Sequence, residues 1–424
     1  MVTAFDELEY ASLTDVGMRR TSNQDNKAVL TAGDEERWRG QGHLFLVADG
    51  MGGHAVGEKA SELAAGIIPH TYQQHAAEST PVALRKAFLE ANDTIHSYGE
   101  ANSEFRGTGT TSTALVLRPD GAWLGHVGDS RGYRIRNGVI EQLTYDHSYV
   151  WEYARLKNID PADVQDFPSN VIHRCLGPQA SVQVDVEGPH PVQAGDIFLL
   201  CSDGLSGQVE DQEMGVVASL LPPEEACGFL IDLANLRGGP DNITVIVVKV
   251  WGGPESVPAS PVSRPIRPLK PIWHRVPWPM LSLAGGSLLA VGAIALQITS
   301  PGLLAGFLFF LAVAPIVAGV AGLVALQRRR AFLPPDEETG EPRVYRQKIC
   351  QLDRTMLEKL AQAAQALRQR VEEMQCEADF AAYEEHHTRA EALSKSGDLP
   401  EAFREYCRAM RPLSAAVRKN RPKE

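Results

Sequence analysis

Several aspartates stand where apolar runs stop. Leu44-Phe45-Leu46-Val47-Ala48 ends at Asp49, followed by Gly50-Met51-Gly52-Gly53. Ile197 to Cys201 ends at Ser202-Asp203-Gly204, Trp123 to Val127 runs into Gly128-Asp129, and Asp241-Asn242 opens the run Ile243 to Val250. A carboxylate at the end of a buried strand is costly unless a cation or donor meets it. If these strand ends converge, they make a hard-oxygen site. Carboxylates and backbone carbonyls without clustered His or Cys select Mg²⁺ or Mn²⁺ over zinc. Two such ions sharing one carboxylate acidify a water between them. Asp25 lies in a polar loop, GMRRTSNQDN, that also carries Arg20, whose planar fork can hold a phosphate. Any one of these aspartates is more simply a turn cap. The set, each member beside a strand end, favours a site.

The elements that must position these residues follow from periodicity. Strands are expected at Tyr10–Asp15, Lys27–Thr31, Leu44–Ala48, Ser112–Arg118, Trp123–Val127, Val182–Val186, Ile197–Cys201 and Ile243–Val250. Tyr133–Arg136 and Val139–Leu143, joined by Asn137-Gly138, read as a hairpin with a type I′ turn. Helices are expected from about Val56 to Thr71, Pro81 to Ala101 and Pro223 to Leu236, and the polar stretch Asp146–Asn170 reads as a partly helical flap. Strands outnumber helices, and the helices come in two groups. That suits an α+β sandwich of packed sheets with helices outside.

With 424 residues, more than one module is expected. A net charge of −12 argues against a general nucleic-acid binder. The six cysteines are widely spaced without a CxxC and read as buried thiols in a reducing compartment. The start, MVTAFDELEY, has no signal-peptide pattern. The expected organisation is a first module at 1–251 and a stiff, basic, Pro-rich linker at 252–279. Next come two uncharged apolar runs (280–298 and 302–326), then a spacer at 327–345 and a helical tail at 346–424. Each apolar run reaches the roughly 20 residues that a membrane-crossing helix needs. Basic flanks on both sides, with Arg328-Arg329-Arg330 after the second run, place both ends in the cytoplasm by the positive-inside rule. In the tail, Leu357, Ala364 and Val371, with Leu360, Leu367 and Met374, make a short heptad seam. It suits a self-associating coiled coil or the face of a bundle equally. Ala390 to Ala409, turning at Gly397-Asp398, looks like one tetratricopeptide-type hairpin. Such a unit must pack on another surface.

The first module resembles the metal-dependent (type 2C, PPM) protein serine/threonine phosphatases in their bacterial form. The matching stretches run in family order: GMRRTSNQD, VADGMGGH, GTGTTSTALVL, HVGDSRGYRIRNG, LTYDHS, NVIHRCLG, LLCSDGLSGQV and GPDNITVIVV. The resemblance implies an αββα sandwich with two Mn²⁺ or Mg²⁺ ions at one end. It implies that Asp49 bridges the ions, the Gly50 carbonyl completes one, and Asp203 and Asp241 bind the other. Asp25 would contact metal-bound water and Arg20 the substrate phosphate, with water attacking phosphorus in line. Asn242 would position the metal-bearing loop or serve only the fold. The implied partners are proteins phosphorylated on serine or threonine, an opposing kinase and the membrane. A non-catalytic phosphatase-fold scaffold is the other reading, against which the full set of acidic residues argues.

Three departures stand out. Gln24 replaces an acidic residue that reaches a metal through water in many members. Gly207 stands where bacterial members commonly carry an aspartate for a third ion, so no strong third site is expected, although its partner Asp129 is present. Met51 occupies the position of a histidine proposed as general acid in eukaryotic members. Neither His54 nor His126 follows as its replacement, and His126 reads as a packed strand residue.

Overall fold

The computed structural model describes residues 8–52, 55–101, 105, 107–164, 171–251 and 342–420. The chain opens with β1 (Leu8–Asp15), β2 (Asp25–Leu30), a short helix α1 (Glu35–Gly40) and β3 (His43–Met51). Two long helices follow, α2 (Ala55–Gln74) and α3 (Thr80–Ala101). Next come β4 (Gly109–Thr110), β5 (Ser112–Arg118), β6 (Gly121–Val127), β7 (Arg131–Arg136) and β8 (Val139–Gln142). Helix α4 (Tyr149–Lys157) precedes β9 (Asp185–His190), β10 (Ile197–Cys201) and one helical turn, α5 (Asp203–Ser206). Helices α6 (Asp211–Leu220) and α7 (Pro223–Leu236) then lead into β11 (Ile243–Val250). Beyond 341 lie β12 (Arg346–Ile349), α8 (Arg354–Glu373), α9 (Phe380–Ser396) and α10 (Leu399–Lys419).

The strands form two sheets, ordered β1-β11-β10-β7-β8-β12 and β2-β3-β5-β6-β9, with β4 pairing β3. Every pairing is antiparallel. Alternation along each central strand sorts side chains between two layers. Phe45 and Val47 of β3 meet Phe198 and Leu200 of β10 and Ile246 and Val248 of β11 between the sheets. Leu44 and Leu46 face outward against Ile68 of α2 and Phe88 of α3. Leu199 and Val247 face the other way, against Met214 of α6 and Phe229 of α7. Both faces of each central strand are covered, so the apolar run at Leu44 needs no polar alternation. This is the four-layer αββα arrangement. The turn at Asn137-Gly138 has positive φ at both residues (52° and 73°), as a type I′ hairpin requires.

Three expectations differ from what is seen. The strand expected at Val182–Val186 pairs instead over Asp185–His190. Val182 and Val184 lie against the α2–α3 cluster, so their apolar character reflects burial rather than ladder pairing. Helix α6 has no clear sequence period, yet it is held by a capping box between Glu210 and Glu213. Of the cysteines read as buried thiols, Cys175 is only partly covered. The linker expected at 252–279, the apolar runs within 280–326 and most of the 327–345 spacer lie outside the described residues. Among the described residues no helix is long and apolar enough to cross a membrane.

The tail packs on the catalytic sheets. Residues 8–251 and 342–420 belong to one compact unit. Strand β12 extends the β8 edge, with Lys348 opposite Ile140. Side-chain caps from Asp353, Asp379 and Asp398 start α8, α9 and α10, and Gly397 in the left-handed region ends α9. Leu357, Leu367 and Val371 of the heptad seam join Phe403, Tyr406, Met410 and Leu413 of α10 in the core cluster of α6 and α7, whereas Met374 stays exposed. The seam is thus a bundle face within one chain. The catalytic helices are shaped for it: a Cβ at Gly215 of α6 would stand 2.5 Å from Cys350 Cβ. Arg408 pairs with Glu225 of α7 at 3.0 Å, and Arg418 reaches buried Asp232 at 3.1 Å.

If the tail and the sheets are one cooperative unit, Leu413→Ala destabilises the whole by about 2–5 kcal/mol. Urea unfolding followed through the tryptophans of the catalytic sheets and helices checks this. An unmoved catalytic transition would mean that the tail unfolds by itself.

Candidate metal and phosphate site

The ladder between β2 and β3 places Asp25 directly opposite Asp49. On the facing sheet, β10 stops at Cys201, one residue before the Ser202 cap of α5, and β11 starts just after Asp241-Asn242. Asp203 therefore opens the turn α5, next to Asp241, and both lie at the sandwich end that holds Asp25 and Asp49. Asp129 enters from the β6–β7 connection.

Hydrogen bonds to the backbone fix these positions. Thr111 Oγ1 accepts from the Asp49 amide at 3.0 Å, while Thr110 Oγ1 and the Thr111 amide donate to the Asp49 carbonyl at 2.9 and 2.8 Å. Asn242 staples the Arg20 loop: its Nδ2 donates to the carbonyls of Val16 and Ser22, both at 2.9 Å, and its Oδ1 accepts from the Gln24 amide at 2.8 Å. Gly17, at φ +80°, lets that loop touch the Asp241 strand, because a Cβ there would stand 2.1 Å from the Asp241 carbonyl oxygen. The Gly50 amide donates to the Gln24 carbonyl at 3.1 Å, which draws the β3 end to the same loop. Ser202, which no sequence pattern singles out, donates from Oγ to Asp25 Oδ2 at 2.7 Å and accepts from the Thr244 amide. Its position beside Asp203 is the available signal.

The electrostatics are those of anions held together. Burial, then the neighbouring carboxylates, push Asp49 and Asp129 well above the usual range. Burial and the Asp241 carboxylate raise Asp203, and burial lifts Asp25 to about 7 against hydrogen bonds from Thr244 and Ser202. Asp25 Oδ1 and Asp203 Oδ1 are buried without hydrogen-bond partners. Arg20 Nη2 sits 2.8 Å from Asp241 Oδ2, with both side chains partly exposed. Among the described residues no three His, Cys, Asp or Glu side chains already stand as a closed ligand set. Orphaned buried oxygens on an all-oxygen donor set fit a hard divalent cation. Gly207 closes α5 and offers no side chain to Asp129.

His126 is buried, and its Nε2 faces the Tyr145 carbonyl at 2.9 Å while its Nδ1 faces the Thr113 hydroxyl. Burial, reinforced by nearby His147, pulls its pKa down to about 3, so it is neutral and packed. His54 lies outside the described residues.

An αββα sandwich with buried carboxylates from both sheets at one end defines a protein built to hold hard divalent cations. Residues 12–159 match the protein phosphatase 2C family. The serine/threonine phosphatase stp of Listeria monocytogenes is 38% identical over 242 residues, covering 56% of this chain and 93% of that protein. PstP of Mycobacterium tuberculosis is 35% identical over 247 residues, or 57% of this chain and 45% of PstP. The crystal structure of the Mycobacterium tuberculosis serine/threonine phosphatase PstP/Ppp superposes with a TM-score of 0.51 at 33% identity, covering 58% of this chain and 99% of that one. The chain belongs to the protein phosphatase 2C family.

A raised carboxyl pKa gives stability that is present below the unfolded value and lost as pH rises through the folded one. For Asp25 that window runs from 3.8 to about 7. At pH 8 without divalent ions, Asp25→Asn is expected to stabilise the fold by roughly 4 kcal/mol, with little effect at pH 4. Thermal unfolding at the two pH values measures it. Equal shifts at both would contradict the raised pKa.

Proposed function

We infer that this protein hydrolyses phosphoserine and phosphothreonine in other proteins, using two Mn²⁺ or Mg²⁺ ions. The observation that carries the reading is the buried carboxylate cluster at the sandwich end of a protein phosphatase 2C member. Asp49 would bridge the ions, with the Gly50 carbonyl on one and Asp203 and Asp241 on the other. Divalent ions bound there supply positive charge for the phosphoryl oxygens and acidify water.

The chain's own residues do the rest. Thr110 and Thr111 hold Asp49 in place, and Ser202 fixes one oxygen of Asp25 and leaves the other free for metal-bound water. Arg20 is on a loop whose backbone Asn242 staples, which fixes where its side chain starts. Its pair with Asp241 joins two partly exposed groups and is weak, so Arg20 can turn to a substrate phosphate. There its fork stabilises charge on the equatorial oxygens. With His126 neutral and buried, it is not the acid that protonates the leaving group. With a glycine at 207 where an aspartate would serve a third ion, we propose two ions rather than three at working strength.

The test is Mn²⁺-dependent release of phosphate from phosphothreonine peptides. Asp49→Ala is expected to lower kcat/KM by about 10³ or more, and to abolish the rise in melting temperature that Mn²⁺ produces. Arg20→Ala is expected to raise KM for the peptide about tenfold. No activity that depends on Asp49 would sink the proposal.

We propose that residues 280–326 anchor the protein in the cell membrane as two helices, with the catalytic part and the tail both in the cytoplasm. The uncharged runs and their basic flanks support this. So does the single compact unit made by residues 8–251 and 342–420, because a chain that leaves and rejoins one body crosses a bilayer an even number of times. An opposing serine/threonine kinase acting on the same proteins is part of this reading. Protease added outside intact cells is expected to spare both parts. Cleavage of either would refute the topology.

A further inference from the structure

A cleft of about 500 Å³ opens beside the aspartate cluster, between α4, α6 and β12. It shares Arg131 with the loop that carries Asp129, and Ser206 with the turn that starts at Asp203. Most charges in it are already matched. Arg131 binds Asp146 at 2.8 Å. Glu210 caps α6, and Asp211 Oδ1 accepts from the Tyr133 hydroxyl at 3.0 Å.

Two further cations, both from the tail, are paired only loosely. Arg346 and Lys348 alternate on β12 and so share a face. Arg346 Nε is buried without a hydrogen-bond partner, and its carboxylate neighbours Asp160 and Asp211 stand off at 3.5 Å. Lys348 Nζ is 3.6 Å from the same Asp160, with its side chain half exposed. These distances exceed those of charge-assisted hydrogen bonds.

We propose that this cleft takes the polypeptide flanking the phosphoresidue, and that Arg346 and Lys348 select an acidic side chain there. The proposal rests on the protein-phosphatase reading above. An incoming carboxylate can engage the guanidinium by two parallel hydrogen bonds, which Asp160 does not make. Asp160 is the displaceable partner, since it is a partly exposed residue capping a single 3-10 turn. The Trp151 ring, its centroid 6.0 Å from the Arg346 guanidinium carbon, lies within cation–π reach of the fork. The family match at 12–159 does not reach these cations, so the preference would belong to the tail.

The experiment uses the full-length protein in detergent with Mn²⁺. It compares p-nitrophenyl phosphate with phosphothreonine peptides carrying Glu or Ala at each flanking position. At one position, Glu is expected to raise kcat/KM about fivefold or more over Ala, through KM. Lys348→Glu is expected to abolish or invert that ratio, Arg346→Gln to reduce it, and Lys348→Arg to keep it. The ratio is read within one protein sample, so partial loss of fold cancels. If Arg346→Gln fails to fold, the half-exposed Lys348 variants decide. Turnover with a Glu-to-Ala ratio near one everywhere, or a ratio untouched by Lys348→Glu, overturns the cleft alone. No turnover of any substrate overturns the phosphatase reading and the cleft together.

Discussion

The repulsion among carboxylates at one end of the sandwich is the constraint on which the structure turns. Asp25, Asp49, Asp129 and Asp203 are each pushed upward in pKa by burial, three of them with a neighbouring carboxylate as the next cause, and two of their oxygens have no partner. Left to itself, such a cluster would open or take up protons. The surrounding backbone prevents the first. The β2–β3 register, the Thr110–Thr111 contacts on Asp49 and the Asn242 staple hold the four chain segments together regardless of the charges they carry. The fold stores an unfavourable field, and a divalent cation is the chemistry that relieves it.

That rigidity has sources far from the site. Both faces of β3, β10 and β11 are packed, so the strand ends have little freedom to move apart. The tail adds to this from outside. It covers the apolar face of α6 and α7 and closes the β8 edge with β12, a surface that would otherwise template pairing with another chain. The same strand carries Arg346 and Lys348 into the cleft between α4 and α6.

Much of the site is legible in the order of residues along the chain. Asp49, Asp203 and Asp241 each announce themselves by ending or opening an apolar run, because burying a strand and exposing its end is a local property, whereas Asp25 is marked only by its place in the polar loop with Arg20. Ser202 and Thr111 are harder to see. A hydroxyl beside a strand end has no periodic signature, and its value lies in what it faces across the sheet. The Arg20–Asp241 pair joins residues far apart in the chain, and no spacing foretells it.

The order of residues sets the inventory: strands buried on both faces, two helix groups, a set of strand-end carboxylates without soft ligands, and a heptad seam in the tail. Tertiary structure alone decided where the tail goes. The seam pattern records that Leu357, Leu367 and Val371 must be covered, but hydrophobic burial is non-directional and does not name the covering surface. Gly215, Glu225 and Asp232 supply that address on the catalytic helices, through close approach and charge. Those features acquire meaning only once the two segments lie side by side.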